Sequence, residues 1–349
     1  MGYSKVLTRI SQASKLRIGE RLRARSFPKR YAEFCDSGVH QPEDSSVLLS
    51  AFVRSGGRSL SAVTTGRSAE TRSVDLSWAP DVLGISCDPS VQREAIECLN
   101  SRGFYQLPVS IPERMLQEIT VQLSSVGCTL FGDDPAVHGT RGQVDLSQSP
   151  KAEKYEVLSE EVLNCEPVVD LFLDRGLLMI AEAYLGAPPM VDIATAWYSF
   201  PTATPSHQAA QLFHFDLERI KWLKAFFYFS DVTIENGPHV FVPGTHRDGG
   251  IPRKLLSRGY ARLDDDTVAT FFPRESWQIS DGAKGTVILE DTRGLHKGAQ
   301  VMSGYRFIGQ VQYAKSLFGG PSVLEGDTLA TSLLCRRVPV ELRRSILPG

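Results

Sequence analysis

The 349-residue chain predicts a mainly β, α+β fold: an antiparallel β core with flanking helices packed on one face, preceded by a helical or loop N-terminal extension. Two observations carry this. Helix-period patterns come early, near residues 90–102, 111–126 and 167–185. Short aromatic and β-branched runs then crowd the second half, near 190–200, 211–217, 222–231, 239–242, 276–280, 284–290, 295–301 and 306–314, after one earlier run at 104–108. Turn signals such as Asn236-Gly237-Pro238 and Pro243-Gly244 separate neighbouring runs.

Residues 1–87 read as an extension. Residues 1–30 hold nine Lys or Arg against the single acid Glu20. The stretch 14–27, SKLRIGERLRARSF, fits three readings: a solvated helix packed on the core or on a second subunit, a basic amphipathic helix making peripheral contact with an anionic membrane, or an organelle transit peptide. Residues 54–75, rich in Ser, Gly and Arg, read as a loop or linker. Residues 88–318 form the expected main domain, and 319–349 a C-terminal tail. Within that domain VVDLFLDRGLLMIAEAYLG is apolar but interrupted by Asp170, Asp174, Arg175 and Glu182, so it reads as one amphipathic helix. Residues 247–276 are long for an idle connection. Arg253, Lys254, Arg258, Tyr260 and Arg262 make their first half basic: either a solvated loop or a lid suited to an anionic substrate.

Composition narrows the function. At 42% hydrophobic and 22% charged, with net charge −2, the chain is ordinary globular protein with no global case for nucleic acid. No apolar run approaches the ~20 residues of a membrane span. Six scattered cysteines without a CxxC pair, and no secretory signal, suit reduced thiols in a cytoplasmic enzyme.

His214-Phe215-Asp216 lies on one of the short runs, and His296 follows 80 residues after Asp216. On a strand, i and i+2 face the same way, so imidazole and carboxylate share a wall while Phe215 points into another layer. Two His and one carboxylate with open positions are the ligand set of a non-haem Fe(II) oxygenase. His239 and His246 compete as third ligand, but His246 comes only 30 residues after Asp216. Four intervening jelly-roll strands and their connections need roughly 45 residues. His239 suits a core role and His246 a turn brace. Arg306 heads an alternating run, and its guanidinium either sits at the surface or clamps a carboxylate bidentately. Lys224 either snorkels from its strand or points inward toward an acidic ligand, and Asp291 either supports His296 or is a plain loop carboxylate.

Four stretches together resemble the phytanoyl-CoA dioxygenase (PhyH-like) family: HFD at 214–216, LKAFFYFSDVTIENGPHVFVPGTHR, GAKGTVILEDTRGLHKG, and Arg306. The run CLNSRGFYQLPVSIPERMLQEI resembles the family's entry of helix, strand and helix, and the likeness spans about residues 88–318. It implies a double-stranded β-helix (jelly roll) carrying Fe(II), with 2-oxoglutarate as cosubstrate and O2 as oxidant. It implies His214, Asp216 and His296 as iron ligands and Arg306 as the clamp for the distal carboxylate of 2-oxoglutarate. Gln211, three before the first ligand, and Tyr198, on the preceding strand, are further cosubstrate contacts it suggests; Gln211 needs an irregular strand start to face the site. Some relatives place Ser two after the second His, where this chain has Gly298. Retention of Asp216 favours hydroxylation over halogenation and leaves desaturation and ring formation open. The substrate is expected to be small or lipid-like, with an anionic group suited to the basic loop. The competing function is a cupin-like jelly-roll binding protein, which has no need of Arg306.

Overall fold

The computed structural model describes residues 3–66, 73–205, 210–259, 262–322, 324 and 326–348, with side chains from Gly19 onward except at 65 and 66. Tyr260, residues 67–72 of the expected linker, and the side chains of the first part of the basic stretch lie outside this set.

Among the described residues the strands are β1 (Phe104–Ser110), β2 (Gly127–Phe131), β3 (Arg141–Gln143), β4 (Lys154–Val157), β5 (Met190–Ser199), β6 (Trp222–Tyr228), β7 (His239–Phe241), β8 (Gln278–Ser280), β9 (Thr286–Glu290), β10 (His296–Gly298) and β11 (Arg306–Ala314). They form an antiparallel sheet of order β1-β9-β6-β11-β5-β4-β2-β3 and a smaller one of order β10-β7-β8. The two sheets face each other as a jelly roll. Strands β5, β6 and β11 supply the floor of the space between them, with Ala194–Val311–Ala225 and their neighbours in register.

The large sheet buries its outer face under helices α4 (Pro89–Ser101), α5 (Glu113–Leu123), α6 (Ser159–Val162), α7 (Glu166–Phe172) and α8 (Arg175–Leu185). The expected single helix over 167–185 is two helices. Asp174 breaks it, because the side chain caps α8 at Leu177 N (3.0 Å) while also accepting from Val82 N (2.8 Å) and Leu83 N (3.0 Å). A carboxylate satisfied by three amides belongs at a helix start, not on a solvated face.

The N-terminal segment departs most from expectation. It forms α1 (Tyr3–Ser37), α2 (Asp44–Ser55) and α3 (Arg58–Gly66), so residues 54–55 and 58–66 of the Ser/Gly/Arg-rich stretch are helical. Gly56 and Gly57, at φ +64° and +94°, make the corner. Phe27, Tyr31, Val47, Leu48, Ala51, Phe52 and Leu60 bury a helical stripe in a second core behind the small sheet. From Phe27 onward, therefore, α1 packs on the protein. No helix among the described residues is long and apolar enough to cross a membrane. The connection 247–276 joins the same core through Leu255, Leu256, Leu263 and Val268, while Arg253, Lys254 and Arg258 are exposed.

Candidate active site

The run 211–217 is not a regular strand. Ala210 takes φ +54°, and the chain then forms only isolated bridges, Phe213 to Leu263 and His214 to His296. Amides leave it in three directions: Phe213 N to Leu263 O (2.9 Å), His214 N to His296 O (3.0 Å) and Asp216 N to Thr292 O (2.8 Å). Alternation nevertheless survives: His214 and Asp216 face the inter-sheet space, while Phe213, Phe215 and Leu217 are buried behind.

His214, Asp216 and His296 converge so that one ligand atom from each lies within 4.8 Å of the others. His214 Nε2 is 3.8 Å from Asp216 Oδ1, and His296 Nε2 is 3.5 Å from Asp216 Oδ2. These are spacings between ligand atoms rather than ion pairs, because burial pushes both imidazoles below their ordinary pKa and leaves them neutral. Each ring is fixed by its other nitrogen. His214 Nδ1 lies 2.9 Å from Leu212 O and His296 Nδ1 lies 3.0 Å from Gly294 O. A carbonyl only accepts, so Nδ1 carries the proton and the Nε2 lone pair points inward, as a metal requires. The donor set fits Fe(II).

The triad opens on a cavity of about 250 Å³ whose walls include Thr195 and Trp197 of β5, Lys224 and Phe226 of β6, and Arg306, Ile308 and Gln310 of β11. Lys224 points inward. Its Nζ donates to Asp216 Oδ2 at 2.6 Å and stands 3.7 Å from Glu218 Oε1. Lys224, by its charge and its hydrogen bond, holds the Asp216 carboxyl well below the usual carboxylate range despite its burial. Glu218 is pushed up to about 7 by burial and by Asp216.

Arg306 is buried at the other end. Nη1 donates to Gly237 O, Nη2 is 3.4 Å from Ser199 Oγ, and Nε has no partner. Among the described residues no carboxylate pairs with it. A guanidinium taken out of water without a counter-ion is costly, so the site is complete only with an anion there. Gly298 faces it: a Cβ at 298 would lie 2.8 Å from Nη2 and 3.0 Å from Nη1. As placed here, the guanidinium of Arg306 occupies the space that a side chain at 298 would need. Gly298→Ala is expected to displace the guanidinium and raise the KM for 2-oxoglutarate by about 10- to 100-fold. An unchanged KM would contradict this steric account.

The other sequence candidates separate. Gln211 follows the irregular start it required, but its carbonyl oxygen accepts from Thr202 Oγ1 at 3.0 Å and it does not line the cavity. Tyr198 lies on the helix-covered face of β5, stacked on Phe307 at 3.9 Å. Strand parity decides this, since Trp197 and Thr195 take the inward face. His239 does line the cavity. It lies 2.7 Å from Glu290 Oε2, without the alignment of a hydrogen bond, and stacks 5.7 Å from His296. Burial pushes Glu290 up to about 8 and His239 down to about 3, so both are uncharged near neutrality. His246 braces its turn, with Nε2 donating toward Asn100 O at 3.3 Å. Asp291 is a buried strut: it accepts from Tyr184 (2.6 Å) and from Arg293 Nε (2.9 Å), and it does not reach His296. Sequence reasoning missed Glu218, two residues beyond Asp216. It also missed Thr195 and Gln310, whose inward parity followed from placing β5 and β11.

The sequence matches the family model described as phytanoyl-CoA dioxygenase (PhyH) over residues 134–306, about half of the chain. No curated protein matches it significantly. Among solved structures it is similar to the non-haem α-ketoglutarate-dependent epimerase SnoN of nogalamycin biosynthesis, at 14% identity, TM-score 0.49, and 65% of this chain against 84% of that one. The carbocyclase SnoK of the same biosynthesis gives 18%, 0.46, and 63% against 83%. HygX from Streptomyces hygroscopicus, solved with nickel and 2-oxoglutarate, gives 17%, 0.46, and 64% against 86%. The chain belongs to the phytanoyl-CoA dioxygenase (PhyH-like) family of Fe(II)- and 2-oxoglutarate-dependent oxygenases.

Proposed function

We propose that the protein hydroxylates an unactivated C–H bond of a small, anionic substrate, using Fe(II), 2-oxoglutarate and O2. His214, Asp216 and His296 hold the metal, and Arg306 receives the distal carboxylate of 2-oxoglutarate. The observation that carries this is the buried Arg306 guanidinium without a counter-ion, facing the same cavity as a neutral-histidine triad. A cupin-like binding protein has no use for that cation. When bound, the metal and keto-acid supply oxidative decarboxylation to succinate and CO2 and the oxidant for the substrate. The chain's own part is to bind and orient. Lys224 keeps Asp216 ionised and fixed, and Trp197 and Phe226 supply apolar walls.

The lining favours a small polar molecule over an acyl chain, because Lys154, Glu156, Glu218 and Lys224 leave no continuous apolar wall for one. An adjoining cavity of about 330 Å³ is lined by the run His214, Phe215, Asp216, Leu217 and Glu218 and by Arg262. Arg262 has a buried Nη1 with no hydrogen-bond partner. With Arg306 taken by the cosubstrate, Arg262 is suited to an anionic group of the substrate. Six unpaired cysteines and an oxidisable metal suit the cytoplasm. Residues 88–318 are the oxygenase domain in this reading.

The test is an anaerobic titration of the Fe(II)-loaded protein with 2-oxoglutarate, followed by visible absorbance. A charge-transfer band in wild type and its loss in His296→Ala are expected; iron binding without any band would sink the cosubstrate assignment. Succinate release is then measured against a panel of carboxylates and phosphates and their neutral amides and alcohols. Equal stimulation by the neutral compounds would remove Arg262 from substrate binding.

A further inference from the structure

The segment carrying two of the three iron ligands is tied to the fold at a few backbone points, by paired bonds with Leu263 and His296 and single bonds to Thr292 and from Gly298. From Ala210 to Leu217 it forms isolated bridges rather than a ladder, so packing shares with those bonds in setting its position. The packing comes from behind. Phe213, Phe215 and Leu217 point away from the cavity into a core whose opposite wall is Phe27, Tyr31, Leu48, Phe52 and Leu60. The ring of Phe52 lies 5.3 Å from that of Phe215, the residue between His214 and Asp216. The α2–α3 corner also clips the turn after β7: Gly249 N donates to Gly56 O at 2.6 Å, and Ser61 Oγ donates to Asp248 Oδ1 at 2.9 Å. A Cβ at Gly57 would come 2.7 Å from Asp248 Oδ1, so the two segments meet closely. All of this wall lies outside the family-matched residues 134–306.

We propose that helices α1–α3 are a positioning element for the iron, with Phe52 acting through Phe215 to set the His214–Asp216 spacing. The inference rests on the metal-site reading above. The physical reason is that a metal site tolerates ligand displacement of only about 0.5 Å. A backbone held at a few points shifts further into a void opened behind it than one held by a full ladder. Phe215 is one residue from each ligand, so its movement is transmitted to both.

The experiment is a Co(II) titration of full-length protein, read by the visible ligand-field bands, with thermal unfolding recorded in parallel. Phe52→Ala is expected to weaken Co(II) binding about 10- to 100-fold, the range for residues that orient metal ligands. Phe52→Leu, which refills most of the volume, is expected to recover binding to within about threefold of wild type. Phe34→Ala is the control. Phe34 sits in the same core against Phe318 at 5.6 Å. This variant is expected to lower Tm and leave Co(II) affinity unchanged. Wild-type affinity in Phe52→Ala overturns the proposal, as does an equal loss in Phe34→Ala, which would mean general destabilisation. Absence of Co(II) binding in wild type would instead overturn the metal-site reading itself.

Discussion

Arg306→Met is expected to cripple 2-oxoglutarate binding while leaving the cosubstrate-free protein as stable as wild type, or more so. Two terms compete in the free protein. Methionine removes the charged hydrogen bond to Gly237 O, which costs about 1.5–3 kcal/mol, and the long contact toward Ser199 Oγ, which costs less. It also removes a buried cation whose Nε is unsatisfied and which no described carboxylate neutralises. An uncompensated buried ion costs several kcal/mol, so the second term wins. With 2-oxoglutarate the balance reverses. A buried, hydrogen-bonded charge pair that loses one partner costs about 2–5 kcal/mol of binding, or roughly 30- to several-thousand-fold in Kd. Thermal unfolding of the metal-loaded protein under argon, with and without 2-oxoglutarate, measures both. Wild type at about 100 times its Kd gains about 2.7 kcal/mol, and the variant is expected to gain almost none. A variant strongly destabilised without 2-oxoglutarate would show that Arg306 is structural. A variant with the wild-type ligand shift would show that the carboxylate binds elsewhere.

That prediction draws on a residue legible in the sequence, and the reason is local. Strand β11 alternates cleanly from Arg306 to Ala314, and its bounds coincide with the expected run. The segment before it was harder. His214 and Asp216 were placed on a strand because HFD alternates, yet alternation needs only extended backbone, not a ladder partner; the structure supplies bridges alone. Tyr198 went to the wrong side of β5 because parity cannot be assigned from an isolated strand. Pairing with β11 sets it, and Phe307 then stacks on Tyr198 on the helix-covered face. The α2–α3 region looked like linker because Ser, Gly and Arg dominate it. A few apolar side chains at helical spacing, with Leu60 fully buried, outweigh that composition once a partner core exists. Strands β2, β3 and β4 escaped notice because they are short and half-exposed, so apolar patterning is faint. Long-range pairing, absent from any window of sequence, is the common missing term.

Lys224 shows how such a pairing changes a mutational expectation. Removing Asp216 should abolish metal binding, as for any ligand, but Asp216→Ala is also expected to destabilise the metal-free protein, unlike Arg306→Met. Lys224 is fully buried, and its Nζ donates to Asp216 Oδ2 at 2.6 Å. Losing that partner strands an ammonium between the sheets. Breaking a buried pair usually costs ~3–5 kcal/mol. Glu218 Oε1, 3.7 Å from Nζ, remains as a substitute, so roughly 2–3 kcal/mol is expected here. The double variant Asp216→Ala/Lys224→Met removes both charges and is expected to recover most of that stability while still binding no metal. Urea unfolding of the metal-free proteins, with Co(II) titration alongside, separates the two effects. If the single variant is as stable as wild type, Lys224 is not held by Asp216, and its place in the cavity serves an anionic ligand instead. If the double variant stays destabilised, the loss is one of packing rather than charge. In either outcome the metal-binding result stands apart, because no retained side chain in the cavity replaces the carboxylate at Asp216's position between the two imidazoles.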